Sequence, residues 1–430
     1  MSGPSGVDPP VAYAFPPRHG RLRRHGAWVT VAKAVASVVA VVAVSGAAVA
    51  AYAALDLLST VKPPVVLESE VVLEDVPDIG AMEGGLNFLL VGSDKRTVDG
   101  AFGDPDIDSA VLNDVTMLLH ISEDHSHVEV ISFPRDMLVS VPECPNPSDP
   151  QGEPLPALVE ERMNGVLSWG GFGCVAATIE QLTGVTIPVG GIVEFYGVAA
   201  LSEAVGGVEV CVAERIDDEY TDLHLDPGVH SLSGMQALQF LRVRHGVGDG
   251  SDLGRISNQQ VFLSALVRKI RSDGTLADPL KLYSIAKAAL SNMTLSSALQ
   301  DPARLMAIAR TLQDIDLSRI VFIQYPTAYL GDFSAVVPSE SAAAVNAALV
   351  ADVPVQLDPT ATDLSDYGTV PDSSSPPTTG TEPSPAGEDG ASDAPTPTPT
   401  APAVPPSLLP TDVTGQPADQ VRCSRANSGW

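Results

Sequence analysis

The chain has little positive charge. It carries 24 Lys plus Arg against 53 Asp plus Glu, a formal net charge of −29 over 430 residues. An acidic protein whose basic clusters are this small lacks the footprint needed to neutralise a phosphate backbone, so nucleic-acid binding is excluded. Cysteine is scarce as well. The four present (Cys144, Cys174, Cys211 and Cys423) have none of the spacings of a zinc site. No internal repeat is visible, and only one long uncharged apolar run occurs.

That run is "WVTVAKAVASVVAVVAVSGAAVAAYAALDLL". Between Lys33 and Asp56 lie the 22 uncharged residues Ala34 to Leu55. As a helix they rise about 33 Å, enough to cross a hydrocarbon core of roughly 30 Å. "RHGRLRRHG" at 18–26 precedes the run, which puts the N-terminus in the cytoplasm and the rest outside. A cleaved signal peptide is the rival, since "SGAAVAAYAA" offers small-residue sites. The run exceeds the usual h-region, so a retained anchor is favoured.

From about residue 358 the sequence turns to Pro, Thr, Ser and acid, as in "DSSSPPTTGTEPSPAGEDGASDAPTPTPT". Such a segment has too little apolar surface to order itself. Its last stretch, "VTGQPADQVRCSRANSGW", is less biased and is a candidate to dock elsewhere. The expected layout is a basic cytoplasmic segment 1–26, a transmembrane helix 27–58, a linker 59–82, one extracytoplasmic domain 83–357 and a disordered acidic tail 358–430. Outside the membrane disulfides are permitted, and a Cys144–Cys174 bridge would close the Pro-rich loop between them. Cys211, in "GVEVCV", reads as a buried strand residue.

Within 83–357, "NFLLVGS" 87–93, "VTMLLHIS" 115–122, "HVEVISF" 127–133, "GVEVCV" 207–212 and "RIVFIQY" 319–325 read as strands. Helical spacing covers 173–184, 195–207, 233–244, 256–272 and 280–293. Mixed strands and amphipathic helices predict an α/β fold, a sheet with helices on its faces.

Four places break the apolar logic. "VGSDKR" ends a strand with Asp94 and Arg96, where open α/β sheets gather ligands. Asp114 stands before the next apolar strand and could be a second oxygen ligand beside Asp94; Mg²⁺ takes one or two protein carboxylates. A capped turn with solvated charges is the plain alternative at both. In "ISFPRDM", Pro134 breaks the strand and turns Arg135 and Asp136 out of it. Finally, "RVRHGVGDGSDLGRISNQQ" at 242–260 gathers Arg242, Arg244 and Arg255, with Gln259 one helical turn after Arg255. Guanidinium forks on a glycine loop before a helix suit phosphate oxygens; helix capping and internal pairs with Asp249 and Asp252 are the alternative. His120, His125 and His127 surround a turn without the ligand framework of a metal site.

Taken in order, "NFLLVGSDKR", "NDVTMLLHIS", "VISFPRDMLVSVP", "RMNGVLSWGG", "GVHSLSGMQALQFLRVRH" and "DLGRISNQQ" resemble the LytR–CpsA–Psr family of bacterial cell-envelope proteins, and the "LGRISNQQ" variant looks similar to actinobacterial members. The resemblance implies an α-β-α sandwich with a central mixed sheet and an apolar tunnel for a polyprenyl chain. It implies transfer of a glycopolymer from a polyprenyl-diphosphate carrier to peptidoglycan, through a phosphodiester. Carried over by motif, Asp94 and Asp114 would hold Mg²⁺, and Arg96, Arg135, Arg242, Arg244, Arg255 and Gln259 would surround the diphosphate. Asp136 and Asp94 are candidates to take the acceptor's proton. Two departures remove positive charge: Leu112-Asn113-Asp114 where members often have Arg-Ser-Asp, and Asn258-Gln259-Gln260 in place of Arg-Gln-Gln. A non-catalytic binder of lipid diphosphate or wall polymer, and a hydrolase using water as acceptor, are the competing readings.

Overall fold

The computed structural model describes residues 26–67, 84–94, 111–149, 151–272, 278–331, 334–359, 367–368 and 405–427. The chain forms two units, Met1–Asp56 and Leu57–Trp430. The first is dominated by helix α1 (Ala27–Ser59), which by length and composition can cross a membrane and buries none of its apolar stretch. Arg96 lies outside the described residues.

The second unit is built on a seven-stranded sheet. Its strands include β1 (Leu86–Ser93), β2 (Asn113–Ile121) and β3 (Val128–Phe133), which form an antiparallel meander. Two further strands run parallel to it: β4 (Val189–Glu194) beside β1, and β8 (Ile320–Gln324) beside β3. Short antiparallel edges close it, β7 (Met293–Leu295) on β4 and β9 (Gly415–Pro417) on β8. A smaller sheet holds β5 (Val208–Val212), β6 (Gly228–Leu232), β10 (Cys423–Ser424) and Tyr367–Gly368.

Successive strand residues point to opposite faces, and each face finds helices. Leu89, Leu118 and Ile131 pack with α2 (Met163–Thr183) and α8 (Ala342–Val350) in one core. Val130, Ile320 and Phe322 pack on the other face, with Leu263 of α5 (Asp252–Ser272), Leu290 of α6 (Pro279–Asn292) and Leu305 of α7 (Pro302–Asp314). The expected α-β-α sandwich is therefore present. A third core joins the smaller sheet to α5 and to α4 (Met235–Arg242), while α3 (Phe195–Ala204) continues directly from β4.

The strands match the sequence pattern to within a residue or two. Helix α2 starts ten residues before the expected 173 because a turn from Met163 precedes it; Gly171, at φ 70°, breaks the helix between the two parts, a conformation that needs a residue without Cβ. Helix α5 starts at Asp252 rather than at the expected 256, because Ser251 Oγ accepts the Leu253 N–H and caps it.

The domain does not stop at 357. Residues 405–427 return to it as β9 and β10, and Cys423 bonds Cys211, while Cys144 bonds Cys174 as the loop between them suggested. Arg268 of α5 donates to the carbonyls of Ala418 (2.8 Å) and Gln420 (2.9 Å), fastening this segment to the back of the helix. The Pro/Thr/Ser-rich residues 369–404 lie outside the described residues.

The three histidines are structural. His120 contacts Asn87 Oδ1 (2.7 Å) and Asp352 Oδ1 (3.0 Å), and His127 Nδ1 lies 3.0 Å from Glu129 Oε1 in the core. His125 reaches the Gly84 carbonyl at 2.9 Å. Among the described residues no group of three or more His, Cys, Asp or Glu could hold a metal ion alone.

Candidate functional site

The carboxyl ends of β1, β3, β4 and β8 lie along one edge of the main sheet, the edge where α/β proteins bind ligands. Four sequence-predicted residues meet there. β1 pairs Gly92 with Val115 and Ser93 with Asn113, so Asp114 occupies a bulge at the start of β2. Asp94 follows at the end of β1, its backbone N–H bonded to the Leu112 carbonyl (3.2 Å) and its Oδ1 accepting the Leu112 N–H (2.7 Å). Beyond β3, a turn closed by the Met137 N–H on the Pro134 carbonyl turns Arg135 and Asp136 outward.

Charge is densely paired. Arg135 Nη1 donates to Asp114 Oδ1 at 2.6 Å, and its Nε lies 3.8 Å from Asp252 and 3.9 Å from Asp136. Burial opposes the Arg135 charge, but Asp114, Asp252 and Asp136 outweigh it and push its pKa up, so it stays cationic. Asp136 also accepts from Arg162 Nη1 (2.8 Å) and lies 3.9 Å from Arg244. On α5, Arg255 Nη2 donates to the Asp114 carbonyl (2.7 Å) and lies 2.5 Å from Asp252 Oδ1. Asp252 Oδ2 accepts the Arg135 backbone N–H (2.9 Å), so one buried carboxylate fixes two arginines from different elements.

Three buried guanidinium donors, Nε of Arg135, Arg244 and Arg255, have no hydrogen-bond partner among the described residues. Buried donors without partners cost about 1–3 kcal/mol each, and such exceptions mark places built for something else. Arg242 lies over the Phe195 ring at 4.1 Å, and Gln259 donates from Nε2 to the Leu241 carbonyl at 3.0 Å.

Arg135, Arg242, Arg244 and Arg255 line one cavity of about 460 Å³. On α5 its lining residues Arg255, Gln259, Phe262, Leu263, Leu266 and Ile270 form a single helical stripe. From Arg255 to Ile270, fifteen positions on, the helix advances about 22 Å, from a guanidinium cluster to an aliphatic end that Ile285 and Met293 complete. The shape is polar at one end and apolar along its length. A charged head with a hydrocarbon tail fits it.

For a divalent cation the donor set is two carboxylates at the same end of the β1–β2 ladder, Asp94 and Asp114. That fits Mg²⁺, which takes one or two protein carboxylates and fills its remaining positions with water and phosphate oxygens. One of the two departures noted in the sequence has a structural use. Asn258, where an arginine often stands, donates to the Phe240 carbonyl (2.6 Å) and contacts Ser424 Oγ, tying α5 to α4 and β10.

Sequence reasoning placed Arg135, Arg242, Arg244, Arg255, Gln259 and Asp114 in one neighbourhood, and all six line the cavity, whereas Asp94 and Asp136 are not among its lining residues. It treated Asp252 only as an internal ion-pair partner. It missed Arg162, whose contact with Asp136 joins residues 26 apart, and Phe195, Tyr220 and His245, which line the cavity from other elements. His245 alone carried a signal, as the residue following Arg244.

The cell wall biosynthesis protein LcpA of Corynebacterium glutamicum is 29% identical over 279 residues, 58% of this chain and 52% of that protein. The polyisoprenyl-teichoic acid–peptidoglycan teichoic acid transferase TagU of Bacillus mycoides is 26% identical over 194 residues, 45% of this chain and 55% of that protein. The chain thus spans about half the length of the curated relatives it matches. Among solved structures, a LytR-Csp2A-Psr enzyme from Actinomyces oris shares the fold, with a TM-score of 0.50 at 21% identity over 67% of this chain and 96% of that one. The LytR_cpsA_psr family model matches residues 50–349, most of the chain and all of the arginine cluster, and the chain belongs to that family.

Proposed function

We propose that the protein transfers a glycopolymer from a polyprenyl-diphosphate carrier to peptidoglycan on the outer side of the membrane, leaving a phosphodiester link. One observation carries this reading: a guanidinium cluster at the head of an apolar cavity that follows α5 for about 22 Å. A lipid diphosphate has that division of charge and hydrocarbon. The activities named for the relatives, cell wall biosynthesis and teichoic acid transfer to peptidoglycan, support the substrate class. Arginines at 18–24 ahead of α1 support a cytoplasmic N-terminus, and two disulfides in the second unit agree with an oxidising exterior.

In the proposed reaction an acceptor hydroxyl attacks the glycan-side phosphorus and polyprenyl phosphate leaves. Negative charge grows on the bridging oxygen as its bond breaks. Fixed cations there stabilise the transition state more than the ground state. Arg135, Arg244 and Arg255 are held for this by Asp114, Asp136 and Asp252, so little reorganisation is needed. Arg242 and Gln259 flank the head, and Arg96 is a further diphosphate contact by motif alone. Mg²⁺ on Asp94 and Asp114 would supply Lewis-acid stabilisation of the phosphoryl oxygens. Asp136 contacts three arginines and serves as their counter-ion.

The test uses the full chain in detergent with a labelled polyprenyl-diphosphate saccharide, Mg²⁺ and peptidoglycan fragments. We expect polyprenyl phosphate release and label on the acceptor, lost with EDTA and lowered about 100-fold or more in Arg255→Ala. Binding of the donor without release would instead make the protein a binding module. Release without acceptor labelling would make it a hydrolase.

A further inference from the structure

We propose that His245 is the general base that takes the proton from the attacking acceptor hydroxyl; the proposal rests on the transfer reading above and names a residue for its missing step. The ionisable side chains lining the cavity are limited, and most are already committed. Asp114 is bonded to Arg135 at 2.6 Å. Glu194 lies 3.8 Å from Lys62. Asp218 is buried and accepts three backbone N–H groups, from Tyr220 (2.9 Å), Thr221 (3.0 Å) and Gly246 (3.0 Å). Asp94 and Asp136 are not among the lining residues; Asp94 accepts the Leu112 N–H, and Asp136 contacts Arg135, Arg162 and Arg244.

His245 is placed differently. It lines the cavity beside Arg244 and is solvent-exposed, and its ring nitrogens have no hydrogen-bond partner among the described residues. Its position is nevertheless fixed from three sides. The Tyr220 ring packs against the imidazole with centroids 4.6 Å apart. Asn427 Nδ2 donates to the His245 carbonyl at 3.0 Å, and Asp218 holds the next residue through the Gly246 N–H. Asp218 also organises the turn that carries Tyr220, so one buried carboxylate sets both members of the ring pair. Gly246 is required for this approach, since a Cβ there would lie 2.9 Å from the Asp218 Cβ. A pinned backbone bearing an uncommitted imidazole at the cavity wall is what general-base catalysis needs.

The step balances. The acceptor oxygen forms a bond to the glycan-side phosphorus as the bridging P–O bond breaks. The hydroxyl proton passes to an imidazole nitrogen of His245, and polyprenyl phosphate departs with the electron pair. The imidazolium then returns its proton to solvent. The charged and titratable groups the structure places next to His245 include Arg244 before it in the chain, Tyr220, whose ring packs on the imidazole, and Asp218, which accepts the Gly246 and Tyr220 N–H groups.

The test compares the full-length wild type with His245→Ala and His245→Gln in the transfer assay, measuring rate against pH, donor affinity, and rescue by added imidazole. We expect transfer to fall about 100-fold in both variants with donor affinity within about twofold of wild type. The acidic limb of the wild-type pH–rate profile should vanish, and imidazole should restore part of the His245→Ala rate. Rates within about threefold of wild type, or a loss accounted for entirely by weaker donor binding with the acidic limb intact, would overturn the role of His245 while leaving transfer standing. A wild type that binds donor and never transfers overturns both readings together.

Discussion

Asp252 gives the sharpest stability prediction. Its two oxygens serve different elements: Oδ2 accepts the Arg135 backbone N–H at 2.9 Å, and Oδ1 lies 2.5 Å from Arg255 Nη2. Both side chains of the ion pair are almost wholly buried, at 6% and 7% exposure, so solvent cannot replace the lost partner. Removing one member of a buried pair costs about 3–5 kcal/mol. Arg255 keeps its bond to the Asp114 carbonyl, which puts Asp252→Ala near the lower end, about 3 kcal/mol. Asp252→Asn retains an acceptor for the Arg135 N–H and loses only the charge, so about 1–2 kcal/mol is expected. Urea denaturation of the full chain in detergent, followed through tryptophan fluorescence, measures the difference at constant slope. An alanine variant within about 1 kcal/mol of wild type would refute the claim that this carboxylate organises the cluster.

Other expectations follow from individual contacts. Burial works against charge on His127, but the hydrogen bond and charge of Glu129 prevail and raise its pKa. A raised folded pKa stabilises fully below the unfolded value near 6.5, and that contribution is lost as pH climbs through the folded one. The stability gap between wild type and His127→Gln should therefore narrow as denaturation midpoints are taken at increasing pH; a constant gap would remove the charge argument. The Cys144–Cys174 bridge joins residues 30 apart, a loop for which chain entropy gives about 3.5 kcal/mol, so a Cys144→Ser/Cys174→Ser double variant should lose stability of that order in the same urea titration. Leu266 lines the apolar part of the cavity, so Leu266→Trp should weaken binding of a long-chain polyprenyl diphosphate while sparing a short-chain analogue; equal losses for both would mean the tail does not run along α5.

The family relationship and the mixed α/β class were legible because they depend on local order. Alternating apolar residues specify β1 to β3 with little help from the rest of the chain, and the motifs around Asp94, Asp114, Arg135 and Arg255 are short and contiguous. The apolar run that became α1 needs only length and composition. Gly-rich β4, "VGGIVE", passed unnoticed, because two glycines hide its pattern and the neighbouring β1 supplies the pairing.

What the sequence determined by itself is the set of parts: a membrane-length helix, an α/β domain, arginines suited to an anion and acids near them. Only the tertiary structure decided which acid serves which arginine. Asp252 lies 117 residues from the backbone N–H it accepts, and Asp136 finds Arg162 and Arg244 from separate elements. The final segment shows the same limit, since Cys423 reaches across 212 residues to Cys211 and nothing local to either names the other. Periodicity is written into neighbouring residues because backbone geometry repeats along the chain. Charge pairing, cavity shape and the placement of an unpaired imidazole arise where distant segments meet, and they exist only once the chain has folded.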